Sequence, residues 1–265
     1  MKFISNSFLL ILLISAATFS QDKIDFERYS LEDGLSQSVV LDIVQDSKGF
    51  IWVATQDGLN RFDGYEFKIY KNNPNDSNTI SENWINVLHL DKNENLWLGT
   101  EYGGLNKIDL NTGVVARFIS DSTNLNSLSH NTIRDIKEDK DGNLWIGTWG
   151  GGISIYDRTN NEFTFYKNDP KNSTSLSNNF IRAICITQDG TIWIGTGDGL
   201  NKFNKSNSSF ERFYHDENNN NSLTENFIVS IYEDKNQKLW IGTRKGMNYL
   251  DPKVGKIIRL VKDPY

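Results

Sequence analysis

Five tryptophans, Trp52, Trp97, Trp145, Trp193 and Trp240, stand in the same short phrase, each followed by a small residue and a threonine. Their spacings are 45, 48, 48 and 47 residues, and a period of that size marks an architecture made of repeated supersecondary units. Each unit opens with Leu-Ser or a near equivalent: Leu35-Ser36, Ile80-Ser81, Leu128-Ser129, Leu176-Ser177 and Leu223-Thr224. A first apolar segment follows, anchored by Val40 and Ile43, Ile85 and Leu88, Ile133 and Ile136, Ile181 and Ile184, and Ile228 and Ile231. Next comes a polar turn such as Asp46-Ser47-Lys48-Gly49, then a β-rich segment ending in the tryptophan phrase, so turn and flanking segments read as a hairpin.

The phrases "IWVATQDGLNRFD", "LWLGTEYGGLNKID", "LWIGTWGGGISIYD", "IWIGTGDGLNKFN" and "LWIGTRKGMNYLD" add a glycine-bearing turn and a third strand. A fourth, mostly aromatic strand closes each unit, as at Phe163 to Tyr166 and Phe210 to Tyr214. Four antiparallel strands per period define a β-propeller blade. Helices are excluded because no segment keeps a 3.6-residue apolar period over three turns. A β-solenoid carries fewer strands per repeat. The expected blades span 35–78, 79–126, 127–174, 175–221 and 222–265. Residues 26–29, Phe-Glu-Arg-Tyr, have the form of a fourth strand without its first three. An orphan strand of this kind closes a propeller ring by completing the last blade. Five units and one orphan strand leave a seven-bladed ring short by seven strands and a six-bladed ring by three, while an overlapping five-bladed ring would lack none; the blade number stays open, and the chain is expected to be all-β, with a propeller over 21–265 read as an incomplete seven-bladed ring.

Residues 1–20 read as a secretory signal peptide: Lys2, an apolar run from Phe8 to Phe19, and Thr18, Phe19 and Ser20 before a cleavage site at Gln21. The apolar core is too short to span a bilayer, which takes about 20 residues. This places the mature chain in the periplasm or otherwise outside the cytoplasm. With one cysteine, Cys185, no internal disulfide can form, and the fold depends on its apolar core. The net charge of -6 argues against nucleic acid as a partner.

The opening "YSLEDGLSQSVVLDIVQDSKGFIWVATQDGLNRFDGYEF" and the central "LSHNTIRDIKEDKDGNLWIGTWGGGISIYD" resemble the two-component regulator propeller repeats of hybrid sensor histidine kinases in Bacteroidota. The resemblance covers Phe26 to Leu260. It implies part of a periplasmic sensing region, often responsive to oligosaccharides, that acts in signal transduction by phosphorelay. Its partners would be a second propeller, the other sensor domains of the parent and a possible homodimer formed through it. It implies no catalysis here, since the kinase core follows the propellers in that family.

The glycine clusters Gly150-Gly151-Gly152 and Gly195 to Gly199 lack the Lys-Ser/Thr of a phosphate loop and read as turns. Asp139, Asp141 and Asn143 mimic the start of a calcium loop, but Gly150 occupies the twelfth position where glutamate is needed. His89, His130 and His215 fall at unrelated repeat positions, so neither a metal nor a cofactor is expected. Paired carboxylates from different blades would make a polysaccharide lyase or another carbohydrate-active enzyme the alternative function, yet the acidic residues recur mainly at turns.

Where structurally equivalent positions differ, packing does not dictate the residue. After the first anchor the units read Leu41, Asn86, Arg134, Arg182 and Val229; before it they read Val39, Trp84, Thr132, Phe180 and Phe227. The turn after the threonine varies likewise. Both places flank the channel mouth of a propeller. The candidate ligand-binding residues are therefore Trp84, Asn86, Glu101, Tyr102, Arg134, Trp149, Arg182 and Arg244, a rim of aromatic platforms and cationic donors suited to a polar or acidic ligand such as an oligosaccharide.

Overall fold

The structure is a computed structural model that describes residues 25–251 and 254–260; the expected export signal at 1–20 lies outside them. Twenty strands form five separate four-stranded antiparallel sheets among the described residues. Blade one holds β1 (Val40–Gln45), β2 (Ile51–Thr55), β3 (Gly58–Phe62) and β4 (Phe67–Tyr70). Blade two holds β5 (Ile85–Leu90), β6 (Asn95–Thr100), β7 (Leu105–Asp109) and β8 (Val115–Phe118). Blade three holds β9 (Ile133–Glu138), β10 (Leu144–Thr148), β11 (Ile153–Asp157) and β12 (Glu162–Tyr166). Blade four holds β13 (Ile181–Ile186), β14 (Ile192–Thr196), β15 (Leu200–Asn204) and β16 (Ser209–Phe213). Blade five holds β17 (Ile228–Glu233), β18 (Leu239–Thr243), β19 (Gly246–Asp251) and β20 (Lys256–Leu260).

The first strands β1, β5, β9, β13 and β17 pack against one another in that order, so each sheet fans out from a common inner edge. Blade tryptophans fill the wedges between sheets. Trp52 lies with Ile80, Ile85 and Leu88 of blade two, and Trp97 with Ile133 and Ile136 of blade three. Trp145 lies with Ile181 and Ile184 of blade four, and Trp193 with Ile228 of blade five. Burying one such indole stabilises the fold by about 2 to 3 kcal/mol. Trp240 departs from the pattern: blade five has no sixth sheet beside it among the described residues, and its indole is half-buried against Tyr249.

The small residue before each threonine has a steric cause. A Cβ on Gly99, Gly147 or Gly195 would lie 2.5, 2.6 or 2.4 Å from the Cγ2 of Ile133, Ile181 or Ile228. The next blade's first anchor therefore seats on bare backbone, and a side chain there would push neighbouring blades apart.

A second repeated device ties each unit's start to its third strand. Ser36 donates its N–H to Asn60 Oδ1 (2.9 Å), accepts from Asn60 Nδ2 (2.8 Å) and shares a hydroxyl contact with Thr55 (2.9 Å). Blade four repeats this with Ser177, Thr196 and Asn201, and blade five with Thr224, Thr243 and Asn248. These buried polar groups satisfy one another, so the Leu-Ser opening is architectural.

Residues 26–29 have no strand partner, because the sheet an orphan strand would complete is not among the five described. Tyr29 packs instead on Phe62 and Phe67, with ring centroids at 4.7 and 5.9 Å. The fan is an incomplete ring, and its two flanks show it: Val39, Val40, Leu41 and Ile43 at one end are exposed, as are Val229, Tyr232 and Met247 at the other.

Candidate ligand site at the channel mouth

Each first strand carries a bulge at the same place. Pairing with the second strand skips from Val40 to Asp42, Ile85 to Val87, Ile133 to Asp135, Ile181 to Ala183 and Ile228 to Ser230. The extra residues are Leu41, Asn86, Arg134, Arg182 and Val229, the set whose identity varies after the first anchor. A bulge residue is freed from the ladder and its side chain is re-aimed. Variation is tolerated there because no cross-strand partner constrains it.

The turn between the second and third strands is held against this bulge. Glu101 N donates to Trp84 O (3.0 Å), Trp149 N to Thr132 O (2.9 Å) and Gly197 N to Phe180 O (2.8 Å). Both variable regions thus share one face of the fan. Across blades two to five their side chains meet in an alternating series of cations and rings. Glu101, buried, accepts from Asn86 Nδ2 (2.8 Å) and Arg134 Nη2 (3.0 Å). Asn86 Nδ2 also donates to Ile133 O (3.0 Å).

The Arg134 guanidinium lies 5.1 Å from the Trp149 ring centre, and that of Arg182 lies 5.3 Å from it. Arg182 also lies 5.7 Å from the Phe227 ring, over which Arg244 sits at 3.5 Å. Trp149 is braced by Phe180, centroid to centroid 5.0 Å. Cation–ring contacts of this kind are worth roughly 0.5 to 2 kcal/mol each, more when water is excluded.

The eight expected residues divide accordingly. Asn86, Glu101, Arg134, Trp149, Arg182 and Arg244 come together. Trp84 and Tyr102 do not join the series and stand exposed, at 36% and 67%, with Tyr102 held by its backbone N–H on Glu82 Oε2 (2.5 Å). Glu101 is no free acceptor at the rim, because Asn86 and Arg134 already occupy its carboxylate. Phe180 and Phe227 complete the site although the expected set omits them. Their signal was present in the sequence: they occupy the variable position before the anchor, as Trp84 does.

Charge is unevenly matched along the series. Arg134 has Glu101, whereas Arg182 makes no hydrogen bond or ion pair among the described residues, and its Nε is buried without a partner. Burial, and then repulsion from Arg134 and Arg244, pull the Arg182 guanidinium below its ordinary pKa. Arginine nevertheless stays protonated, so the mouth carries an uncompensated positive centre.

Other groups that carry chemistry are accounted for elsewhere. Asp139 Oδ1 accepts from the N–H groups of Asp141 and Asn143, and Oδ2 from Trp145 Nε1, so the apparent calcium loop is a closed hairpin turn. Arg158 bridges Asp91 and Glu138 between blades two and three, with His89 3.5 Å from Glu138. Burial, opposed by Glu138, keeps His89 below the usual histidine range. The Cys185 thiol is pushed up to about 11 by burial, which leaves it protonated at neutral pH. No cluster of three or more metal-binding side chains occurs among the described residues. A cleft of about 690 Å³ lined by Thr174, Asp189, Lys202 and Phe210 lies on the outer part of blade four, apart from the mouth.

A fan of four-stranded antiparallel sheets with a bulged inner edge defines a β-propeller repeat protein. The family model described as two component regulator propeller matches residues 34–57, 127–150, 175–198 and 222–245, so four of the five units carry a segment similar to that repeat. Each match runs from the Leu-Ser opening through the bulge to the mouth turn. A stretch of 56 residues, 21% of the chain, is 61% identical to Histidine kinase P4 of Formosa agariphila and covers 4% of it. The extracellular domain assigned to a hybrid two-component system of B. thetaiotaomicron aligns with 89% of the chain at 27% identity and a TM-score of 0.58. The chain spans 37% of that domain. Virginiamycin B lyase of Staphylococcus aureus aligns with 86% of the chain and 71% of its own length, at 13% identity and a TM-score of 0.61, a likeness of fold alone.

Proposed function

We propose that this chain is the extracytoplasmic sensing propeller of a hybrid two-component histidine kinase and acts by binding a polar ligand, an oligosaccharide, at the channel mouth without transforming it. The observation that carries this reading is the convergence of the bulge residues Asn86, Arg134 and Arg182 with Trp149, Phe227 and Arg244 on one face. Sugars stack on aromatic faces and accept hydrogen bonds from guanidinium groups, and both are on offer here. Similarity to the extracellular domain of a two-component system and to a histidine kinase supports the signalling role and an exported location. Occupancy would be passed to neighbouring sensor domains through blades that share buried wedges.

Isothermal titration of the purified chain against a panel of oligosaccharides tests the proposal. At least one member binds, and Trp149→Ala weakens it about tenfold or more. Binding that survives Trp149→Ala together with Arg134→Ala would remove the mouth as the site. Release of unsaturated sugar from any member would replace the sensor with a lyase.

A further inference from the structure

Arg182 stands at the centre of the mouth, and its surroundings differ from those of every other arginine in the site. It is the bulge residue of blade four, so no cross-strand partner fixes its side chain. Trp149 on one blade and Phe227 on another lie within 6 Å of its guanidinium. These rings satisfy its apolar faces and leave its N–H donors unused, because an aromatic ring accepts no bidentate hydrogen bond.

On one side stands Arg134, already neutralised by Glu101; on the other is Arg244, stacked on Phe227. No carboxylate reaches Arg182 among the described residues, although the chain carries 34 acidic residues against 28 basic ones. Leaving a donor-only, like-charge neighbourhood partly desolvated is costly unless an acceptor arrives. Arg134 Nε is buried and unpartnered in the same way, so two orphaned donors belong to adjacent bulges.

From this geometry we infer that Arg182, flanked by Arg134 and Arg244, is an oxyanion subsite that selects ligands bearing a carboxylate or sulfate group. The inference rests on the sensor reading for its biological meaning, though the subsite is defined by its own chemistry. A planar guanidinium fork matches the two oxygens of such a group, and charge-assisted bonds of this kind are the strong ones. Trp149 and Phe180 would then carry the body of the ligand beside its charged group.

The test uses the purified chain with three probes: glucuronate, glucose and inorganic sulfate. Glucuronate is expected to bind and raise the melting temperature, with affinity falling as salt increases, while glucose has no effect at the same concentration. Arg182→Gln should lose at least tenfold in glucuronate affinity without lowering the melting temperature of the free chain, and Arg182→Lys should lie between. Lys235→Ala, at an exposed turn on the opposite face, should change nothing. Sulfate that competes with glucuronate supports a subsite for the oxyanion itself, whereas glucuronate binding that ignores sulfate confines the selection to a carboxylate on a sugar and equally supports it.

Equal binding of glucose and glucuronate, or undiminished affinity in Arg182→Gln, overturns the inference. A neutral oligosaccharide that depends on Trp149 and not on Arg182 would leave the sensor reading intact and remove the oxyanion subsite. Arg182-dependent binding followed by cleavage would do the reverse.

Discussion

Four of the five repeated indoles close a small circuit with the turn before them. Trp52, Trp97, Trp145 and Trp240 donate Nε1–H to Asp46, Asp91, Asp139 and Asp234 at 2.8 to 3.0 Å, while the other carboxylate oxygen caps turn N–H groups. One carboxylate therefore fixes both the hairpin turn and the tilt of the ring that wedges the blades. In blade four Thr187 takes the aspartate's place and donates to Thr191 O (2.9 Å) and Asp189 Oδ1 (2.6 Å), so that turn is wired differently. The bond from Trp240, reinforced by the Lys238 N–H, holds Asp234 below the usual carboxylate range. Asp91 is lowered too: burial raises it, but the bonds from Trp97 and Asn95 together outweigh that. A depressed folded pKa means that the unfolded chain takes up protons first. The contribution is therefore complete above the ordinary value near 3.8 and is lost as pH falls through the lower folded value. The melting temperature should drop steeply below about pH 4, on top of a shallower decline that begins as pH falls through 6.5, where the unfolded chain protonates His89 and the folded chain, with His89 held lower, does not. Asp234→Asn should melt lower at neutral pH and show a shallower acid limb, as followed by circular dichroism; parallel limbs would refute the assignment.

At the scale of the strand pair, two features set the mouth: the bulge and the glycine turn beside it. Gly152 shows how tightly that turn is built. It has φ +75°, donates its N–H to Asn179 O of the next blade (3.0 Å), and leaves room for a Cβ only 2.2 Å from Tyr166 O. Gly152→Ala should cost about 2 to 4 kcal/mol, from the left-handed backbone and the clash together. Chemical denaturation is the measurement, and a loss under 1 kcal/mol would mean that the turn relaxes freely. The four strands per unit and their order were legible in the sequence because alternation, turn residues and the tryptophan phrase are local signals. The bulges were not. One added residue leaves the apolar pattern of a six-residue strand almost unchanged, so Asn86, Arg134 and Arg182 appeared as variable positions without a reason for their variability.

For the molecule as a whole, the fan is a one-dimensional stack in which each blade is stabilised by its neighbours. Strands β5, β9 and β13 are covered on both sides, whereas β1 and β17 each present an open flank with exposed Ile43 and Tyr232. Opening should therefore begin at the ends. Hydrogen exchange followed by mass spectrometry should find slower exchange in the inner strands of blades two to four than in β1 and β17, and uniform protection would contradict a stack that frays from its flanks. The mouth residues that meet in the candidate site, from Arg134 through Trp149 and Arg182 to Phe227 and Arg244, lie on blades three to five, from the centre of the arc to one of its ends. The amino-acid order by itself determined the repeat, the sheet type and the indole wedges, since period and spacing are written within each unit. Which variable side chains face one another was decided only by the fan, because residues about one period apart become neighbours when successive sheets share an inner edge. For the same reason Phe180 and Phe227 gained their place in the site from the blades beside them, and Glu101 lost its free carboxylate to an arginine of the next blade.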